Sequence, residues 1–394
     1  MPRTVVLGTA RTPFARLGGG LASLSAPKLG IAAGSAALER SGVETEDIGY
    51  VVMGQVLQAG AGQIPSRQVS VGVGLGPGVG SETINKVCAS GMRAATLADV
   101  LIRAGEHDVI LAGGMESMSN APYLLEKGRF GYTFGDGTLV DSMTSDGLTC
   151  TFDGLIMAEQ NSKVAAEIGI TREQQDAWAL RSHQRAIAAI DAGRLAEEIV
   201  PVTIPGRRGD TVVDTDEGPR RDTSAERLAS LPPVFTKDGS TTAGNAPGVN
   251  DGAAALVLAS EDWAKERGLK PLAVIRSSGY VADDFAYLVR TPAAATKVAL
   301  EKAGMSVSDI DLLEVNEAFC SVALNTTSLL GIDPDRVNVN GGAVALGHPI
   351  GASGARLLGT VIHELRRRGG GIGVAAICSG AAQGDATVLE VMAA

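Results

Sequence analysis

One pattern occurs twice in this chain and constrains its fold more than any other feature. Ala89-Ser90-Gly91, with Arg93 two positions on, returns 263 positions later as Ala352-Ser353-Gly354 with Arg356. A second anchor agrees: residues 37–42, Ala-Leu-Glu-Arg-Ser-Gly, match residues 299–304, Ala-Leu-Glu-Lys-Ala-Gly, at an offset of 262, and Asp47-Ile48 falls on Asp309-Ile310. Two anchors at nearly constant spacing mean a duplicated fold. Each copy reads as an amphipathic helix capped by Gly42 or Gly304, a short loop, then an apolar strand around Val51 or Leu313. Helix alternating with strand predicts an α/β chain with mostly parallel sheets.

The copies carry different chemistry. Cys88 stands just before the first Ala-Ser-Gly, whereas a glycine-dense run holding His348 precedes the second. A thiol and an imidazole brought together by pseudo-symmetry point to nucleophilic catalysis. Cys88 also precedes a helical run, residues 92–104, and a place at a helix start would stabilise a thiolate through the dipole and the free amides. The competing reading of a lone cysteine is a small buried hydrophobe. His107, His183 and His363 lie in polar contexts and read as surface residues.

With 394 residues, 45% of them hydrophobic, and 51 glycines, the chain has ample core and many tight turns. A net charge of −10 disfavours nucleic acid as a partner, so an anionic ligand needs a local basic patch. The start enters Val5-Val6-Leu7 without a signal-peptide pattern, and no apolar run nears the ~20 residues of a membrane helix. The expectation is a soluble, cytoplasmic protein without membrane contact. Cysteines 88, 150, 320 and 378 show no Cys-x-x-Cys spacing and no clustering with histidine, so neither a metal site nor a disulfide framework is expected.

Residues 119–243 have no counterpart in the second half. Within them, residues 128–137 are glycine and aromatic rich, as in a protruding loop, and Thr171 to Gln174 form a capping box opening a helix toward Ala192. Residues 206–227 mix Arg207, Arg208, Arg220, Arg221 and Arg227 with Asp210, Asp214, Asp216 and Glu217. They read either as a solvated loop or as a cover over an anionic ligand.

Six strings in order then resemble the signature set of the thiolases: residues 5–14, the Cys88 string, Gly113-Gly114-Met115-Glu116-Ser117-Met118-Ser119, Asn316-Glu317-Ala318-Phe319, Gly347-His348-Pro349 and Cys378-Ser379-Gly380. The resemblance covers essentially the whole chain. It implies the thiolase fold, a five-layer α-β-α-β-α core of two pseudo-symmetric halves with an inserted loop domain. The expected division is an N-terminal half over 1–118, a loop domain for CoA binding and oligomer contacts over 119–243, completion of the first half over 244–270, and a C-terminal half over 271–394. Acyl-CoA and CoA are the implied partners, in a homodimer or homotetramer, with CoA acting as substrate or product and no separate cofactor.

By the same resemblance, Cys88 is the nucleophile and His348 takes its proton, while Asn316 fixes a water beside the thioester oxygen. Cys378 moves the proton at the substrate α-carbon, and the amides of Cys88 and Gly380 bind the second oxyanion. Gly54 is the duplicate of Asn316, so the fold itself needs no amide there. Cys150 and Cys320 match no catalytic position. Arg220, Phe235, Ala243, Phe319 and Met157 match the CoA and acyl path.

The chain departs from the family at Ile156 (usually histidine), Pro247 (usually serine) and Ala381-Ala382 (usually two glycines). Each change is expected to cost on the order of 1 kcal/mol of substrate binding through a lost polar contact. The implied reaction is the reversible condensation of two acetyl-CoA to acetoacetyl-CoA plus CoA, with degradative cleavage of longer 3-ketoacyl-CoA as the alternative. Cys378 argues against a ketoacyl synthase. Retention of Cys88, His348, Cys378 and Asn316 argues against a non-catalytic relative.

Overall fold

Both duplicated helices stop where the sequence places a glycine. In the computed structural model, Ala26–Ser41 ends at Gly42 and Thr291–Ala303 at Gly304, each with φ 68°, a left-handed conformation that glycine adopts without penalty. The structure describes residues 3–207 and 209–394; Arg208 of the mixed-charge segment lies outside them. The strands Tyr50–Gly54 and Leu312–Val315 follow, as the repeat requires.

Among the described residues, ten strands form one sheet in which the duplication is visible strand by strand. In the first half Thr4–Arg11 pairs with Asn250–Ser260, which pairs with Val109–Ser117, which pairs with Tyr50–Gly54; the senses are antiparallel, antiparallel, parallel. The second half repeats this with Ala273–Ala282, Gln383–Val391, Gly371–Ser379 and Leu312–Val315, in the same senses. Gly80–Ile84 adds a strand to the first half only. The expectation of mostly parallel sheets is therefore corrected: parallel pairing is confined to the strands beside Tyr50–Gly54 and Leu312–Val315. The reason is connectivity, because Gly371–Ser379 returns directly as Gln383–Val391 through a short turn rather than through a helix.

That turn, Gly380-Ala381-Ala382, occupies the place where the first half runs from Ser117 to Asn250. The long segment without a counterpart is thus an insertion at one hairpin. Its helix Arg172–Asp191 opens on the Thr171 capping box read from sequence. Its loop tip is exposed, with Phe130 and Phe134 at 93% and 100% of full accessibility.

The five layers follow from which faces are apolar. Ala26–Ser41 and Pro65–Gly72 cover one outer face, and Thr291–Ala303 with Cys320–Leu330 cover the other. Between the two halves of that sheet lie Ser90–Ala104 and Ser353–Arg367, the two helices that begin with the repeated Ser-Gly. Glycine is needed there because the helix starts touch: a β-carbon on Gly91 would lie 2.8 Å from the carbonyl oxygen of Gly351 and 2.9 Å from the nitrogen of Ala355. The shared motif is therefore the contact point of the two copies, and it brings the residues preceding each helix together.

Candidate active site

Cys88 is buried and stands two residues before helix Ser90–Ala104, after Val87, whose φ of 46° is unusual for a β-branched residue. Ser90 fastens this bend, its hydroxyl donating to the Val87 carbonyl at 2.6 Å and accepting the Lys86 N–H at 2.8 Å. Lys86 is held in turn by Asp385 at 2.5 Å. Burial pushes the Cys88 thiol up to about 12, although its own N–H and that of Gly380 both point to the sulfur and pull the other way. The amides favour the thiolate, as expected of a helix start, but desolvation opposes them and favours the neutral thiol.

His348 is delivered by a tightly packed segment. A β-carbon on Gly347 (φ 110°) would lie 2.7 Å from the amide carbon of Asn250, whose side-chain oxygen accepts the His348 N–H at 2.9 Å. Nδ1 lies 2.6 Å from the Ser353 hydroxyl, which itself donates to the Pro349 carbonyl at 3.0 Å. Nε2 faces the side-chain nitrogen of Asn316 at 3.3 Å. An amide nitrogen can only donate, so this network puts the imidazole proton on Nδ1 and leaves Nε2 as an acceptor. Burial and the Arg356 charge push His348 down to about 3, which keeps it neutral. Ser353 is a functional residue that sequence reasoning passed over; its signal was its place in the repeated motif, five residues after His348.

Asn316 follows strand Leu312–Val315, and the next residue anchors its loop. The buried Glu317 carboxylate accepts from Trp178 Nε1 at 2.8 Å, Ser182 Oγ at 2.7 Å, Asn338 Nδ2 at 2.9 Å and the Val344 N–H at 3.1 Å. It ties the inserted helix to the loops on either side of the site. Glu317 too went unread as a structural anchor, because the donors converge on it from three separate segments of the chain.

Cys378 is the penultimate residue of strand Gly371–Ser379 and is buried, which holds its thiol well above the usual range; the neighbouring Cys88 adds to that. Cys88, Cys378, His348 and Gly380 line one cavity of about 270 Å³. Met157, Phe235, Ala243 and Phe319 line it as well, as do the departing residues Ile156 and Pro247. Asn316 is fully buried behind His348 rather than on the wall.

Arg220 lies elsewhere, in a second cavity of about 520 Å³ with Arg16 and Arg227. The two cavities share Ala243, Ala246, Gly248 and Val249, so the apolar one opens beside the basic one. This is the arrangement a long ligand with an anionic end requires. His183 lines the second cavity, buried, its Nδ1 accepting the Arg220 N–H at 3.2 Å. Its reading as a surface residue is corrected, and His363 is half-buried, because the helices that carry them pack inward. His107 stacks on Tyr50.

Ala381 and Ala382 adopt φ of 57° and 48°. Relative to glycine, these positions lose backbone ease. Cys150 and Cys320 are buried away from the cavity walls. Among the described residues no cluster of His, Cys, Asp and Glu suits a metal ion.

The description "Thiolase, N-terminal domain" matches residues 4–262, and "Thiolase, C-terminal domain" matches residues 269–391. The chain is 48% identical to an acetyl-CoA acetyltransferase of Chromobacterium violaceum, over 98% of both chains. It is 47% identical to the acetyl-CoA acetyltransferase of Escherichia coli, over 99% of both. The crystal structure of the Bacillus anthracis acetyl-CoA acetyltransferase, 40% identical, superposes with a TM-score of 0.97 over 100% of this chain and 99% of that one. With both halves matched in order and the fold reproduced throughout, the chain belongs to the thiolase family.

Proposed function

We propose that this protein is an acetyl-CoA C-acetyltransferase that joins two acetyl-CoA into acetoacetyl-CoA and CoA, reversibly, through an acetyl group on Cys88. The observation that carries the reading is the convergence of Cys88, Cys378, His348 and Gly380 on one apolar cavity that opens beside a basic one.

The neutral resting groups suit a proton transfer coupled to attack. His348 Nε2 takes the Cys88 proton as the sulfur adds to the acetyl carbonyl, and Cys378 protonates the departing CoA sulfur. Cys88 is then acetylated, His348 is an imidazolium, and Cys378 is a thiolate. The thiolate removes an α-proton from the second acetyl-CoA; the enolate oxygen rests against His348 and a water fixed by Asn316. The carbanion attacks the acetyl carbonyl, whose oxyanion meets the N–H groups of Cys88 and Gly380. Collapse releases acetoacetyl-CoA, and the Cys88 sulfur recovers its proton from His348.

In this reading Arg220 meets the nucleotide end of CoA, and Met157, Phe235, Ala243 and Phe319 flank the pantetheine and acyl path. Residues 119–243 form the CoA-binding unit. Four unpaired cysteines suit a reducing cytoplasm. The apolar side chains exposed at Tyr123, Phe130, Phe134 and Leu139 support assembly as a homodimer or homotetramer. The test is intact-mass analysis after incubation with acetyl-CoA: an acetyl adduct is expected on the wild-type chain and none on Cys88→Ala. An adduct that persists in the variant overturns the assignment.

A further inference from the structure

The duplication gives the reaction centre a counterpart on the other side of the pseudo-twofold, and that counterpart is not empty. At the offset of 263 that aligns the Ser-Gly helices, Cys88 corresponds to Gly351; at the offset of 262 that aligns Tyr50–Gly54 with Leu312–Val315, Ala318 and Phe319 correspond to Val56 and Leu57. The N–H groups of Val56, Leu57 and Gly351 all donate to one side chain, Glu116, at 3.0, 3.2 and 3.0 Å. Glu116 is fully buried and makes no ion pair among the described residues.

Gly351 shows how completely the space is taken. A β-carbon there, the counterpart of the Cys88 side-chain root, would lie 2.7 Å from Glu116 Oε2 and 2.5 Å from the Met115 carbonyl oxygen. Where one copy holds a nucleophile, the other holds a carboxylate gripped by three backbone donors. Gly351 lies three residues after His348, joined to it only through Pro349 and Ile350.

We propose that Glu116 is a positioning residue: its carboxylate serves as a resident anion in the counterpart of the reaction centre and, through the Gly351 N–H, fixes the segment that sets His348 against Cys88 and Asn316. The inference rests on the reading of His348 as the proton acceptor for Cys88. A carboxylate taking several backbone N–H bonds is held in one geometry, and charge-assisted bonds of this kind are among the stronger ones available to a protein. Truncating the side chain leaves three buried donors unmet and a space of carboxylate size.

The test is kinetic, with chemical rescue. Burial pushes Glu116 up to about 7, so assays belong at about pH 8, where the carboxylate is ionised. Glu116→Ala is expected to lose roughly 10- to 100-fold in kcat for acetoacetyl-CoA thiolysis with KM changed less than about threefold, and added formate is expected to restore most of the loss. Glu116→Gln keeps an oxygen for the Val56 and Gly351 donors and should lose far less. Gly351→Ala, which crowds the carboxylate and the Met115 carbonyl alike, should lower kcat at least as much as Glu116→Ala does. If Glu116→Ala fails to fold, the Gln and Gly351 variants carry the test.

Unchanged kcat in folded Glu116→Ala, or a loss that formate leaves untouched, overturns the proposal. His348→Asn is measured beside these. Full activity in that variant defeats the reading of His348 itself, whereas a lost activity there with an unaffected Glu116→Ala defeats only the present inference.

Discussion

The side-chain nitrogen of Asn316 donates to Nε2 of His348 over 3.3 Å, while the oxygen of the same amide, buried, has no hydrogen-bond partner among the described residues. A donor at that position holds the imidazole in the tautomer that leaves Nε2 unprotonated. An acceptor would do the opposite and draw a proton onto Nε2. Asn316→Asp is therefore expected to lower kcat by at least ~10²-fold, as loss of a preorganised donor does, and to leave KM within about threefold. Near-normal turnover at neutral pH would mean that the tautomer is set elsewhere.

The two cysteines of the cavity separate by role. Cys378→Ala should still accept an acetyl group on Cys88, since only proton transfer is lost. Condensation should fall by about 10²-fold or more, the effect expected of removing a general acid or base. Paired mass and rate measurements check this, and a variant that condenses normally would assign the proton to another group.

Chain length is expected to follow from the cavity wall. Ile156 and Met157 both line it, and Met157 begins helix Met157–Glu167, a rigid support. Acetoacetyl-CoA should be the best substrate, with some turnover of the six-carbon homologue. Met157→Ala should shift preference toward longer chains, each added methylene gaining up to ~0.8 kcal/mol where it finds apolar cover. A kcat/KM that climbs steadily with length in the wild type would identify a degradative enzyme for longer chains.

Left-handed alanine carries a strain of roughly 1–2 kcal/mol that glycine lacks, offset by about 0.5–1 kcal/mol of extra unfolded-chain entropy. Ala381, only partly buried in the turn after Gly380, is the cleaner place to see it. Ala381→Gly should stabilise the protein by about 0.5–1 kcal/mol in urea unfolding. A lower denaturation midpoint would show that the Ala381 methyl group holds the turn through its contacts.

The duplicated helices, their glycine caps and the capping box at Thr171 were legible because each rests on local chemistry that a few adjacent letters carry. Cys88, His348 and Cys378 were legible for the same reason, as strings in a fixed order. What escaped was everything decided by partners distant in sequence. The burial that favours the Cys88 thiol comes from the two halves of the sheet and two helices meeting. Ser353, Glu317 and Glu116 sat inside quoted strings, yet their donors come from segments 5 to 235 residues away. Strand direction was misjudged because the hairpin at residues 380–382 replaces a helical crossover, and nothing in Gly-Ala-Ala advertises a turn.

One contact between the halves has a further meaning. Thr4, Val5 and Val6 pair antiparallel with Ile275, Val274 and Ala273, the edge of one copy against the like edge of the other. That is the form of a self-complementary interface, the kind a twofold homodimer makes. A half-length chain would have to make it with an identical twin, and whatever preceded one Ser-Gly helix would then precede both. Two thiols or two imidazoles would face each other. Joining the copies into one polypeptide breaks that identity, so Cys88 can stand on one side of the axis, His348 on the other and a carboxylate in the place left over: two equivalent sites are exchanged for one whose halves do different things.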